Sequence, residues 1–560
     1  ELRMPQLQLQ PVMQQLDAHL EHALTREILK TLSFQGGFEN LYVRWQPDAE
    51  FKQRLQFDTN LANVEYSPWQ SVPGASGISG RIRGDLAQGE LQLNSQGFML
   101  NLYDFFSEPW HYESAAATLT WEFDKKGFWL KSPYLQVKGD EGDIAGDFAI
   151  RLLNADEGAE NYMDLRVGMR EGDASYTRRY LPRVLEENQP ELFNWLVQAV
   201  QKGTGKEGYL QYQGSLSSST PSEATSISLY FDVEDAALEY QPHWPVLKDG
   251  VAQVFVHDWG VQVELDKGSI LQTALNNALA EVKYAEGNEV TRLLVQSELA
   301  SNATDGLYIL QNTPLSKEVT ALAAWQGTGQ IPAQLKLNIP FANGLEPHVQ
   351  LDMQLEQVDV NMQDLDIHLQ GVTGALSFDS VQGLSSKQLD GRFLNQPFVA
   401  SVAGNGVQEG LETVVRAEGS MAAEVLQNWL APDVYWPWSG TLEYQLRVLL
   451  DGDDSQLVVE TDLTGVELAL PVPFGNQKES AVATQWHMTL SGPERHYWLD
   501  YGKQLSLFLA KRDAQQFRGE LVLGGERAQL PTQHGIFVRG ALDELPVNQW
   551  LELAKHYTHA

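Results

Sequence analysis

A strict two-residue rhythm recurs along this chain and limits what it can fold into. Ile227-Ser228-Leu229-Tyr230-Phe231-Asp232-Val233-Glu234 has an apolar residue at every odd position, and three of its four even positions hold Ser, Asp or Glu. The rhythm returns in Val349-Gln350-Leu351-Asp352-Met353-Gln354-Leu355, in Leu365-Asp366-Ile367-His368-Leu369 and in Val466-Glu467-Leu468-Ala469-Leu470. Successive side chains of a strand point to opposite faces, so each segment presents one apolar face and one wet face. The apolar set comprises Ile227, Leu229, Phe231 and Val233; Leu335, Leu337 and Ile339; and Val349, Leu351, Met353 and Leu355. It continues with Leu365, Ile367 and Leu369; Leu442, Leu446 and Val448; and Val466, Leu468 and Leu470. The fold class is mostly β, an antiparallel sheet with a few short amphipathic helices. Its apolar surface must be covered by something. A second sheet can close on it as a dry β-sandwich, or the sheet can curl into an elongated trough whose concave side takes a ligand.

Composition narrows the function. At 560 residues and about 150 residues per domain, the chain has room for three to four domains, although a repetitive sheet does not obey that count. Hydrophobic residues make up 43%, enough for a sizeable core. Lys+Arg 39 against Asp+Glu 74 leaves a net charge of −35, which repels phosphate backbones and argues against nucleic acid and against flat adsorption on anionic head groups. Cysteine is absent, which excludes disulfides, zinc–thiolate sites and thiol nucleophiles, and suits the bacterial periplasm. No run of about 18 apolar residues is present to span a bilayer. The first residue is Glu1, not Met, so a targeting segment is expected to lie outside the sequence.

Helical patches interrupt the strands. Residues 6–32 place Leu16, Leu20, Leu24 and Ile28 at i, i+4 steps before Gly36-Gly37. Residues 176–201 hold Leu192, Trp195, Leu196 and Val200 on one face, with Pro190 suited to a first turn. Shorter patches cover 421–429 and 547–554. The expected organisation is a helical segment over 1–37, β repeats over 38–175, 208–420 and 431–546, a helical insertion over 176–207, a short helix over 421–430 and a terminal helix over 547–560. A strand–bend–strand unit also repeats. Val64-Glu65-Tyr66-Ser67-Pro68-Trp69, then Gly77 and Arg81-Ile82-Arg83, matches Leu238-Glu239-Tyr240-Gln241-Pro242, then Trp244, Gly250 and Val254-Phe255-Val256. Residues 365–378 read as a degenerate third copy. Pro cannot donate to a ladder, so it marks the bend, and repetition of this kind favours a neighbour-contacting architecture. Ser-rich residues 215–226 read as a loop.

Chemistry-bearing motifs fail their structural requirements. Gly203-Thr204-Gly205-Lys206-Glu207-Gly208 follows a helix and precedes a strand, the reverse of a dinucleotide fingerprint, so its glycines are expected to end the helix and start the strand. Asp451-Gly452-Asp453-Asp454 lies between the strands 441–450 and 456–462 and reads as a hairpin turn, not a calcium loop. His19 and His22 lack a third ligand, and Asn302-Ala303-Thr304 is a sequon by pattern only. No Ser, His or carboxylate constellation supports catalysis. The chain is expected to be no enzyme and to need no cofactor, metal or nucleotide.

Three longer stretches carry a resemblance. Tyr180-Leu181-Pro182-Arg183-Val184-Leu185, with Trp195-Leu196 and Gly208-Tyr209-Leu210-Gln211-Tyr212-Gln213-Gly214, resembles a signature of the YhdP branch of the AsmA-like bacterial envelope proteins. Tyr240-Gln241-Pro242-His243-Trp244-Pro245-Val246-Leu247-Lys248-Asp249-Gly250 is similar to a second element of that family. Leu463-Thr464-Gly465-Val466-Glu467-Leu468-Ala469-Leu470-Pro471-Val472-Pro473-Phe474-Gly475 resembles a third, with Asn476 where the family has Lys. The resemblance implies an elongated, curled β-groove that carries phospholipid through the periplasm, working with inner- and outer-membrane components and tethered to the inner membrane by an anchor absent here. It also makes the apolar set above the lipid-groove lining. Two other classes compete: a scaffold or chaperone for outer-membrane protein assembly that offers sheet edges, and a carbohydrate-binding or adhesive β protein using its 15 Trp and 19 Tyr.

Overall fold

Alternation becomes hairpin after hairpin, most strands pairing with the next in the chain. The computed structural model describes residues 1–560 except 14–30, 69–71, 124, 154–160, 217–223, 259, 284–289, 318–321, 343, 364–365, 408–409, 432–433, 451–453, 513–516 and 558–560. Two compact units result: Glu1–Val295 with Pro340–Asn343, and Gln296–Ile339 with Gly344–Ala560.

Unit one begins with β1 (Leu2–Gln8), β2 (Gln35–Trp45), β3 (Leu55–Tyr66), β4 (Gly74–Gly84) and β5 (Gln88–Asn101). It continues through β6 (Trp110–Phe123), β7 (Gly127–Gly139), β8 (Gly142–Leu153) and β9 (Tyr162–Asp173). Three short helices follow, α1 (Thr177–Tyr180), α2 (Arg183–Asn188) and α3 (Pro190–Ala199). Then come β10 (Val200–Ser215), β11 (Thr225–Leu238), β12 (Leu247–His257), β13 (Gly260–Ile270) and β14 (Thr273–Lys283). Every consecutive pair from β1 to β14 is antiparallel.

After β15 (Arg292–Asn302) comes α4 (Ala303–Asn312). Asn302, the Asn of the sequon, is its N-cap: the side-chain oxygen accepts from the Asp305 amide at 2.9 Å. Unit two then runs through β16 (Trp325–Pro340), β17 (His348–Met362), β18 (Ile367–Asp379), β19 (Gly383–Phe393), β20 (Gln396–Val407), β21 (Gly410–Ala422), α5 (Ala423–Leu430) and β22 (Trp438–Leu450). Shorter elements complete it: β23 (Gln456–Thr461), β24 (Val466–Leu468), β25 (Thr484–Thr489), β26 (Arg495–Tyr501), β27 (Leu505–Lys511), β28 (Phe517–Leu523), β29 (Gly535–Gly540) and α6 (Val547–Lys555). The ladder skips β24, which pairs with the start of β22, so β23 pairs with β25. It ends in one parallel pair, β28 with β29.

Bulges are the main departure from simple alternation. Asn63, Asp235 and Gln357 adopt φ of 50°, 55° and 54° at register shifts in β3, β11 and β17. Each extra residue bends its strand and moves the apolar phase by one. Leu61 and Val64 therefore join one core cluster, and Leu355 and Val358 another, although they are three apart.

Several local expectations change. Leu2–Gln8 is strand, not the start of a helix, because it pairs with β2 through Leu7–Phe38 and Gln8–Gly37. Residues 9–13 and 31–32 are helical, while Leu16, Leu20, Leu24, Ile28, His19 and His22 lie outside the described residues, as do Trp69, Leu365, residues 217–223 and 451–453. Helix ends at Ala199, and Gly203, Gly205 and Gly208 all lie inside β10. A Cβ on Gly208 would stand 2.9 Å from the Phe231 ring of the paired strand, so this glycine makes room for an aromatic neighbour instead of ending a helix. The third copy of the bend is not one: residues 367–379 form a single strand, with Gly371 and Gly374 at register shifts in place of a proline bend.

At one strand end of unit two, His348 Nε2 and Gln350 Nε2 lie 3.0 and 3.1 Å from Asp379 Oδ2, while the Val381 and Gln382 amides donate to Oδ1 at 2.8 and 3.1 Å. Burial alone would raise this carboxyl, but the hydrogen bonds from Gln350, Val381, His348 and Gln382 hold it well below the usual range. A depressed folded value means the stabilisation is complete above the unfolded pKa of about 3.9 and is lost as pH falls from there through the folded value. Protection of the Val381 and Gln382 amides, taken relative to their intrinsic exchange rates, should fall on acidification in that window, and Asp379→Asn should abolish that pH dependence of protection. An unchanged pH profile in the variant would remove Asp379 as its source.

Candidate functional site

One residue from every strand of unit one forms a single cross-strand row. It runs Leu7, Phe38, Leu61, Gly80, Leu93, Ala117, Leu135, Gly146, Val167, Leu210, Leu229, Val256, Val261 and Val282, each opposite the next in the ladder. All are apolar or glycine, and all are half-buried. A sandwich core would seal them beneath a second sheet; here the row is neither sealed nor fully exposed. Gly80, with φ 154°, keeps it unbroken where a Cβ would strike the Gln92 carbonyl oxygen at 2.0 Å.

Unit two has its own row: Leu355, Gly374, Leu389, Ala400, Ala417, Leu446, Val459, Trp486, Leu499, Leu507, Leu521 and Val538. Leu355 and Ala400 are buried in a cluster with Ala303, at the start of α4. Met421, Leu442 and Val466 are buried with Leu463 and Tyr501, and Val425 and Leu426 of α5 pack against them. In unit one, Leu9 is buried with Val64, Ala75 and Ile78, and Met13 packs on that cluster. Helices thus roof the apolar face in patches at the strand ends from which they leave, and the rest stays accessible.

The opposite face is largely wet. Asp147, Arg166, Gln211, Ser228 and His257 form its row in unit one, with an Arg166–Asp147 ion pair at 2.8 Å and an Arg81–Asp58 pair at 2.7 Å, both exposed and weak. In unit two, Gln350, Asp352, Gln354 and Glu356 are exposed. The alternation breaks over β25–β28, where His487, Trp498 and Phe508 stack on this second face with centroids 4.4 and 4.5 Å apart. Beside them, Ser506 and Arg518 side chains hold Ala528 and Pro531 of the following loop.

Each candidate residue except Leu365, which lies outside the described residues, has a definite place. Leu229 lies in the first row; Ile227, Phe231 and Val233 flank it on β11, opposite Tyr212, Gly208 and Gly205. Leu351 pairs with Leu335 on one side and with Phe378 on the other, and Leu337 pairs with Val349. Met353 faces Ala333 and Leu376, Ile367 faces Met362, and Leu369 faces Val360 and Phe393. Ile339 is half-buried at the end of β16. Leu446 lies in the second row, with Val448 between Val415 and Leu457. Leu355, Leu442 and Val466 are packed beneath cover, Leu468 pairs with Trp438, and Leu470 lies beyond β24. The sequence missed the glycines of the rows, and also Leu135, Val167, Trp486 and Leu499, whose strands alternate less cleanly. The Tyr209-Leu210-Gln211-Tyr212 stretch held a readable signal for Leu210.

A buried polar knot fastens the insertion of unit one. Glu141, 3% exposed, accepts from Tyr180 Oη at 2.7 Å and from Arg179 Nη1 at 3.2 Å. The Tyr180 and Tyr112 hydroxyls are 3.3 Å apart, and Trp110 Nε1 donates to the Arg179 carbonyl. Burial pushes the Tyr112 hydroxyl up to about 12 and raises Tyr180 further, so both remain protonated donors. Among the described residues, no cluster of His, Asp and Glu is arranged to hold a metal, and no helix is long and apolar enough to cross a membrane.

Comparisons with known proteins fit this architecture. The intermembrane phospholipid transporter YhdP of Escherichia coli (strain K12) is 23% identical over 478 residues, covering 81% of this chain and 36% of the relative. The chain thus spans about a third of that protein's length. No solved structure matches it. The family profile described as YhdP protein matches residues 1–560 from end to end, and the chain belongs to that family.

Proposed function

We propose that the apolar face carries phospholipid acyl chains along the protein between the inner and outer membranes, in the periplasm, within a longer protein tethered to the inner membrane. The supporting observation is the row of fourteen apolar or glycine positions in unit one, one per strand and all half-buried. A face of this kind offers acyl chains a dry lining and leaves head groups in water. One chain of about 16 CH₂ groups at about 0.8 kcal/mol each gains on the order of 10 kcal/mol before ordering costs. The lining repeats from strand to strand, so a bound chain meets similar surroundings at each step and slides without a deep trap. The relative's name, intermembrane phospholipid transporter, agrees with this reading. The role is non-enzymatic: it needs no cofactor and uses phospholipid and membrane components as partners.

Native mass spectrometry of the purified chain should show phospholipid bound non-covalently and released on activation. A chain that carries no lipid after mild purification, and takes up none from detergent-free vesicles, would end the proposal.

A further inference from the structure

The two strand-end edges of unit one differ, and one of them has the chemistry of a lipid surface. The described parts of the connections β2–β3, β4–β5 and β6–β7 lie at one edge, beside the end of β8. They are stitched side by side: Leu86 N donates to Lys52 O at 3.0 Å and Phe123 N to Ala87 O at 2.6 Å. Nearly every connection exposes an apolar side chain. Trp45 is 58% exposed, Phe51 75%, Leu86 48%, Phe123 41% and Leu152 40%. Phe123 and Leu152 share Phe128 as cross-strand partner, so this strip is continuous with the apolar face.

Charge separates this edge from the rest of the molecule. Segments 44–54, 85–87 and 121–131 hold six Lys and Arg against five Asp and Glu, in a chain of net charge −35. Lys52 Nζ lies 4.1 Å from the centroid of the Phe123 ring, a cation held beside an exposed aromatic. The opposite edge also exposes apolar groups, Tyr103, Val184, Leu192 and Trp195, and holds Arg183 over the Tyr103 ring, but there Asp104, Glu108, Glu186, Glu187 and Glu191 outnumber Arg178, Arg179 and Arg183. Aromatic and aliphatic tips mixed with Lys and Arg suit the head-group boundary of a bilayer, whereas carboxylates oppose it.

We infer that the edge bearing Trp45, Phe51, Leu86 and Phe123 docks on a phospholipid bilayer and serves as the side entrance through which acyl chains reach the apolar face. This deepens the lipid-carriage reading and rests on it. Insertion of the exposed tips anchors the edge, and Lys52, Arg54 and Arg151 meet phosphates. A departing acyl chain then passes from the bilayer to Phe123, Phe128 and Leu152 along an apolar path.

Flotation with vesicles of phosphatidylethanolamine and phosphatidylglycerol tests the inference, with co-purified lipid and the thermal midpoint measured on the same samples. The wild-type chain should float. The triple variant Trp45→Gln, Phe51→Gln, Leu86→Gln should float on the order of tenfold less or worse, with bound lipid and midpoint retained, because the lost apolar area is exposed. Val184→Gln with Leu192→Gln on the opposite edge should float like wild type. Equal flotation of the triple variant and wild type would overturn the inference. So would a wild-type chain that carries lipid but does not float, or one whose triple variant loses only self-association or capture of a protein partner; lipid carriage would stand in each case. Absence of bound lipid from every chain would instead overturn the underlying reading.

Discussion

Val358→Asp is expected to melt its part of unit two, while Leu351→Asp is expected to leave it folded and empty of lipid. Both residues belong to β17, seven positions apart. Val358 is 2% exposed, in a cluster with Ala303 of α4, Val372 and Phe398. A carboxylate there has no partner and no water, so the cost is on the order of 4 kcal/mol or more. Leu351 is half-buried, flanked across the ladder by Leu335 and Phe378. Water reaches it, so its carboxylate should cost on the order of 1 kcal/mol, yet it places a charge where acyl chains lie. Thermal midpoints and co-purified lipid measured together decide the matter. A midpoint that collapses equally for both variants would mean that the Leu351 region is a sealed core.

Glu141→Ala should be the most damaging single change in unit one outside the apolar face. It leaves Arg179 without its carboxylate and the Tyr180 hydroxyl without its acceptor in a nearly dry site, with an expected cost of about 3–5 kcal/mol. Glu141→Gln keeps an acceptor for Tyr180 and should cost less. Adding Arg179→Met to Glu141→Ala should recover part of the loss, because the orphaned charge goes with it. Chemical denaturation gives the energies, and limited proteolysis across 177–199 reports whether the helical insertion is released. A loss below about 1 kcal/mol for Glu141→Ala would show that the knot is solvated and not structural.

Much of the fold was legible because its main signal is local. Ile227 to Glu234 reads as a half-wet strand from its own side chains, and β11 places Leu229 in the apolar row as expected. Pro68 and Pro242 mark bends for the same reason: a residue without an amide proton ends a ladder wherever it falls. The helix ending at Ala199 carried a misleading signal. Gly203, Gly205 and Gly208 resemble a helix stop until Val233, Met169 and Phe231 are seen to occupy the space their missing side chains leave. That reason lies on neighbouring strands, more than twenty residues away in the sequence.

Alternation alone determined that this chain makes strands with one apolar side, and composition alone determined that the chain is acidic overall and free of thiol chemistry. Tertiary structure decided the phase. Asn63, Asp235 and Gln357 are ordinary polar residues in the sequence, yet each takes a left-handed conformation and shifts the apolar register by one, so Leu355 and Val358 share a cluster that strict alternation would divide. It also decided which apolar residues are covered. Leu442 and Leu446 are equivalent in their own segment, but Leu442 lies in the cluster packed by α5 and is 6% exposed, whereas Leu446 remains half-buried in the open row. A strand's two-sidedness follows from the geometry of its own backbone. The cover over either side depends on elements tens of residues away, whose docking no local pattern encodes.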